Sequence, residues 1–148
     1  MTKRKILIAN GPNLGILGQR QPDIYGTDGI DAIIDAVRSR VGDAVIVEHL
    51  QTNHEGVLID ALNAKAHDPL YVGVILNAGA WTHTSLAVAD AVAAMDAPVV
   101  EVHISNVHAR EDVRRNSLIA PVCRGVITGL GIHSYVLAAD YLMTLADK

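Results

Sequence analysis

His103 closes an apolar run, Val99-Val100-Glu101-Val102-His103, in which the only other titratable residue, Glu101, stands two positions earlier. In an extended strand that spacing puts carboxylate and imidazole on the same face. A carboxylate there can fix the ring's tautomer and raise its basicity, which suits general acid–base chemistry. The plainer reading is a strand-end histidine whose nitrogens are simply satisfied. His83 lies in Thr82-His83-Thr84-Ser85, a cluster of helix-capping types. It reads either as part of a cap or as a neighbour of free helical N–H groups that could receive a carboxylate. The run from His108 to Arg115 (HAREDVRR) mixes signs, and a solvated helix face is its ordinary explanation. Its place just past His103 also lets Arg110 and Arg114 act as an anion clamp, because arginine meets a carboxylate in a bidentate fork. Upstream, the loop after the first apolar run carries one cation, Arg20, and one phenol, Tyr25.

Other chemistries find no support in the spacing. The seven histidines include no HExxH and no helical i, i+4 pair, so no metal site is expected. Cys123 is the single cysteine, which excludes an internal disulfide and a CxxC zinc site. Gly11–Gly18 (GPNLGILG) fits neither G-x-G-x-x-G nor a P-loop, so it offers no obvious phosphate cradle. Three of the four lysines, Lys3, Lys5 and Lys148, lie at the termini, and Lys65 lies late in a helix. That placement argues against a Schiff base.

These residues need elements to hold them. At 148 residues the chain has the length of one domain, 1–148, and half of its residues are apolar. With no Phe, one Trp and four Tyr, the core must be built from Ala, Val, Ile and Leu. A formal charge of −4 lacks the basic balance of a nucleic-acid binder. The opening apolar stretch is too short for a signal peptide, and nothing is long enough to span a bilayer, so no membrane partner and a cytoplasmic location are expected. Strands are expected at Lys5–Ala9, Ala44–Leu50, Val72–Leu76, Val99–His103 and Gly125–Thr128, and helices at Ile30–Val41, Glu55–Ala66, Thr84–Met95 and Ile132–Ala146. Such alternation argues for an α/β, flavodoxin-like, doubly wound five-stranded parallel sheet with helices on both faces. Ligands in these sheets bind outside the carboxyl ends of the strands. The unusual polar residues all follow strands, and the long stretch Gly11–Gly29, with no secondary-structure signal of its own, reads as a lid.

Together the segments NGPNLGILGQRQPDIYG (Asn10–Gly26), QTNHEGVLID (Gln51–Asp60), NAGAWTHTSLAVADA (Asn77–Ala91), EVHISNVHARED (Glu101–Asp112) and GVITGLG (Gly125–Gly131) resemble type II 3-dehydroquinate dehydratase along nearly the whole chain. The resemblance implies dehydration of 3-dehydroquinate to 3-dehydroshikimate, with no cofactor and no metal. It implies that Tyr25, as phenolate, takes the proton next to the ketone, with Arg20 beside it lowering its pKa. Asn13 would hold a water at the carbonyl oxygen, and His103, oriented by Glu101, would protonate the departing hydroxyl. Asn77, His83, Asp90, Ile104, Ser105 and Arg114 would hold the substrate's hydroxyls and carboxylate, with Arg110 in supporting electrostatics. The chain departs from the family pattern at Trp81, where tyrosine is commoner, at Asn116-Ser117-Leu118, and at Ser134, which replaces a glycine before Tyr135. A flavodoxin-like module that binds a small acid or a flavin without turnover is the alternative reading.

The helix Thr84–Met95 is apolar almost all round, with Asp90 its only charge. An outer helix of a monomer should show a polar stripe, so this one is expected to be covered on its far side by another subunit. The resemblance implies trimers packed into a dodecamer, a tetramer of trimers, with Asp90 pointing into the neighbour's active site. The simpler alternative buries the helix in its own fold, with Asp90 on a local partner.

Overall fold

The computed structural model describes residues 2–19, 21, 23 and 29–146. Five strands, β1 (Lys5–Asn10), β2 (Ile46–Gln51), β3 (Tyr71–Asn77), β4 (Val99–His103) and β5 (Gly125–Thr128), form one parallel sheet in the order β2-β1-β3-β4-β5. This is a flavodoxin-like α/β fold. Strand order reverses between β1 and β3, and their last rung pairs Asn10 with Asn77. That reversal is where such a sheet opens a crevice.

The sheet's two faces carry separate cores. On β1, Ile6 and Ile8 point one way and Leu7 and Ala9 the other, as a period of two requires. The first face is covered by α1 (Ile30–Val41) and α4 (His133–Ala146), through Ile33, Val37, Tyr135 and Leu142. The second is covered by α2 (Glu55–Lys65) and α3 (Leu86–Ala93), through Leu58, Leu62, Val88 and Val92. Because both faces are covered, every residue of β3 is buried, which is why its sequence reads as a nearly continuous apolar run. Gly73 on β3 lets α4 lie close: a methyl group there would run into the Leu142 side chain and reach 3.0 Å from the Pro98 carbonyl oxygen.

The expected elements all form, with three differences. α3 is shorter than Thr84–Met95, because Gly79–His83 winds into a 3-10 turn first and Ser85 then caps the helix, its Oγ accepting from Val88 N–H at 2.9 Å. His83 is therefore not the cap. The mixed-charge run folds as two 3-10 turns, Val107–Ala109 and Asp112–Arg115, not as one helix face; the first is opened by Asn106 Oδ1 accepting from His108 N–H at 3.1 Å. The loop after β1 also contains a 3-10 turn, Leu14–Ile16, held down by buried Leu14 and Leu17.

No helix among the described residues is long and apolar enough to cross a membrane. α3 buries Val88, Ala89, Ala91 and Val92 against its own sheet and leaves Leu86, Ala87, Asp90 and Ala93 exposed. The subunit thus covers one side of this helix only. The Asp90 side chain has no hydrogen-bond or ion-pair partner among the described residues, so the local partner of the simpler reading is not there.

Candidate active site

A cleft of about 510 Å³, its open mouth included, lies outside the carboxyl ends of β1, β3 and β4. Its walls bring together Asn13 after β1, Asn77 ending β3, His83, then His103, Ile104 and Ser105 at the end of β4, with Arg110 and Arg114 beyond. Glu101 stands behind His103. Asp90 does not line this cleft. Arg20 and Tyr25 lie outside the described residues.

Each wall is held by identifiable contacts. Gly11 lets the chain turn tightly after β1, since a Cβ there would meet the Ala78 carbonyl oxygen at 2.6 Å and Trp81 at 3.2 Å. Asn13 follows in the left-handed region, φ 66°, a conformation asparagine tolerates better than most residues. Its backbone N–H donates to Asn53 Oδ1 at 2.9 Å, and Gln51 Nε2 donates to the Gly11 carbonyl at 3.0 Å. The Gln51-Thr52-Asn53 stretch therefore braces the Asn13 loop. Ile104 and Ser105 are fixed through their carbonyls, by Gly131 N–H at 3.1 Å and Thr128 Oγ1 at 3.0 Å.

The titratable centre is a buried pair. His103 Nε2 lies 2.6 Å from Glu101 Oε2, and Glu101 is 1% exposed. A carboxylate taken out of water costs several kcal/mol unless it is paired and hydrogen-bonded, on the order of the effective penalty for one buried ion. Here both oxygens are engaged: Ser117 Oγ donates to Oε1 at 2.9 Å, and Ala120 N–H donates to that same Oγ at 3.0 Å. A carboxylate only accepts, so His103 donates from Nε2 and the proton it can gain or lose sits on Nδ1. His83 lies nearly parallel to His103, 6.4 Å between ring centres and 20° between planes. Its Nδ1 donates to the Asn116 carbonyl at 2.9 Å, which leaves Nε2 as an acceptor in the neutral ring.

The cations lie on the far wall. Arg114 Nε donates to Glu111 Oε2 at 2.8 Å, and that bond holds the Glu111 carboxyl below the usual range. Arg110 approaches Glu111 at 3.6 Å, and its Nη1 donates to Ser105 Oγ at 3.4 Å. Ion pairing by Nε leaves Arg114's terminal nitrogens to meet a carboxylate. The arrangement offers an acid–base group, amide and hydroxyl hydrogen bonds, and positive charge within a chain of negative net charge.

Five contributors escape sequence reasoning. Ser117 anchors Glu101, although its segment stood out only as a departure. Ser134, the other departure, is fully buried and donates from Oγ to the His103 carbonyl at 3.1 Å while accepting from Leu130 N–H at 3.3 Å. Gln51 with Asn53, and Tyr135 below the cleft, complete the set. Cys123 takes no part: burial, and secondarily the charge of Glu101, pushes its thiol up to about 12.

Comparison with known proteins supplies a second line. The family model described as dehydroquinase class II matches residues 4–143. A 3-dehydroquinate dehydratase of an Exiguobacterium species is 54% identical over 140 residues, covering 94% of each chain. One of Bacillus licheniformis is 50% identical over 144 residues, covering 97% of this chain and 98% of that one. Among solved structures, the type II dehydroquinase of Propionibacterium acnes superposes with a TM-score of 0.90 at 39% identity, covering 97% of this chain and 98% of the other.

Proposed function

The chain belongs to the class II dehydroquinase family and its activity is that of a 3-dehydroquinate dehydratase, and we propose that it runs this reaction as an anti elimination through an enolate, in one catalytic domain. The observation that carries the reading is the buried Glu101–His103 pair, opening onto a cleft that also holds Asn13, Asn77 and two arginines.

In this scheme Tyr25, as phenolate with Arg20 beside it, removes the proton next to the ketone. The C–H electrons move into an enolate, and a water held by Asn13 donates to the oxygen where charge builds. The enolate then reforms the ketone as the C–O bond to the β-hydroxyl breaks. His103 delivers its Nδ1 proton to that leaving oxygen, so water departs and the conjugated enone 3-dehydroshikimate remains. Glu101 acts through His103, stabilising the ring while it is protonated. Asn77, His83, Ile104 and Ser105 hold hydroxyl groups, and Arg114, supported by Arg110, holds the carboxylate. No lysine among the described residues lines the cleft, which supports a route without an imine.

Incubation with 3-dehydroquinate, followed by absorbance of the conjugated enone, tests the reading. Turnover that borohydride fails to inactivate is expected. Binding without product would identify a non-catalytic module, and borohydride trapping would replace the enolate with an imine.

We further propose that a second subunit covers the exposed stripe of α3, giving trimers assembled into a dodecamer with Asp90 reaching the neighbour's cleft. An exposed apolar residue as large as Leu86, 68% accessible in the isolated subunit, supports this. Asp90→Ala should raise KM by about tenfold, the worth of one charged hydrogen bond, or loosen the assembly in sedimentation. A fully active monomer would overturn it.

A further inference from the structure

We propose that Tyr135 is a positioning residue that sets how the Asn77 amide faces the cleft. This rests on the reading of Asn77 as a substrate contact. Tyr135 comes from the first turn of α4, is fully buried, and reaches under the last rung of β1 and β3. Its hydroxyl accepts from Asn77 Nδ2 at 2.9 Å and donates to Asn10 Oδ1 at 2.6 Å. Asn77 Oδ1 in turn accepts from Gly79 N–H at 3.1 Å, and Asn10 Nδ2 lies 3.2 Å from His49 Nε2.

One end of this chain fixes the polarity of every link. A backbone N–H can only donate, so Gly79 must meet the oxygen of Asn77. Asn77 therefore turns its NH₂ to Tyr135, the phenol must donate onward, and Asn10 must show it an oxygen. The amide nitrogen of Asn10 then donates to His49, whose Nε2 has to be the bare nitrogen of a neutral ring. Burial lowers the pKa of His49 below its usual value, which agrees with that form.

Gly79 alone would hold Asn77 at a single point. The terminal torsion of asparagine is broad, so an amide tied only at its oxygen swings about χ2. The phenol ties the nitrogen and so fixes the amide plane. That orientation decides whether a substrate hydroxyl at Asn77 meets a donor or an acceptor. Burial also holds the Tyr135 phenol well above its usual pKa, so it stays a donor.

The test is a double-mutant cycle in kcat and KM for 3-dehydroquinate, using Tyr135→Phe, Asn77→Ala and the pair. Tyr135→Phe should raise KM by about tenfold with kcat nearly unchanged, the pattern of binding lost equally from ground and transition states. In the Asn77→Ala background it should change KM by less than about twofold, since acting through one group makes effects non-additive. A folded Tyr135→Phe enzyme with wild-type KM, or an equal factor in both backgrounds, would overturn this inference alone. An Asn77→Ala enzyme with wild-type KM would overturn the contact at Asn77 and this inference with it. Should Tyr135→Phe fail to fold, nitrogen-15 NMR of the wild-type enzyme above pH 8 decides: His49 is expected to carry its proton on Nδ1, and a proton on Nε2 would break the chain.

Discussion

Replacing His103 with asparagine should lower turnover by about 10²- to 10⁴-fold, the usual worth of a general acid, and alter KM far less. Asparagine is the informative change. It keeps an N–H near Glu101, a group 1% exposed that would otherwise be left with Ser117 alone. Alanine would add a folding defect of about 3–5 kcal/mol, the cost of stripping one partner from a buried ion pair. The stability of His103→Asn should stay near that of the parent while its chemistry fails. Glu101→Gln should cost less, because the ring remains and loses only its carboxylate support. Near-normal turnover in His103→Asn would move the acid to another residue.

Tyr25→Phe should reduce turnover by a similar factor of about 10²–10⁴, for loss of a general base, with substrate affinity largely kept. The other tyrosines strengthen this assignment by elimination. Tyr135 is buried under the sheet edge, and burial keeps its proton on. Tyr71 starts β3, at the opposite end of the sheet from the cleft; burial and its hydrogen bond to Glu48 raise its pKa as well. Tyr141 lies outside the cleft, where Arg124 Nη1 donates to its hydroxyl at 2.9 Å. Arg20→Ala gives a second readout. A cation beside a phenolate lowers the phenol's pKa, so its removal should push the rising, acid-side limb of the pH–rate profile to higher pH. Lysine should restore only part of the effect, lacking the planar fork. A Tyr25→Phe enzyme of ordinary turnover, or an unshifted profile for Arg20→Ala, would remove these residues from the mechanism.

The legible part of this molecule is the part with local periodicity. β1, β3 and β4 announce themselves as apolar runs because both faces of the sheet are covered, and Glu101 with His103 follows from the two-residue strand repeat. Arg110 and Arg114 could be assigned to the cleft because they follow β4 closely. What stayed hidden depends on partners far along the chain. Ser117 meets Glu101 across 16 residues and Ser134 meets the His103 carbonyl across 31. Nothing at positions 117 or 134 signals such a contact, so both stood out only as unusual letters. The Asx turn at Asn106 and the early 3-10 turn at Gly79 were missed for another reason. Short side chains that bond their own backbone compete with helix, and a mixed-charge pattern does not reveal which side wins.

Asn10 and Tyr135 are 125 residues apart in sequence, and this separation orders events during folding. The contact cannot form until α4 has docked on the sheet. On a ribosome all five strands emerge before α4 does. Until α4 docks, Ile6, Ile8 and Ile75 lack part of their cover, and Asn10 and Asn77 lack their shared phenol. The nascent chain therefore completes the polar edge of its sheet last, and a chain stalled before α4 would present an open apolar sheet face to chaperones and proteases.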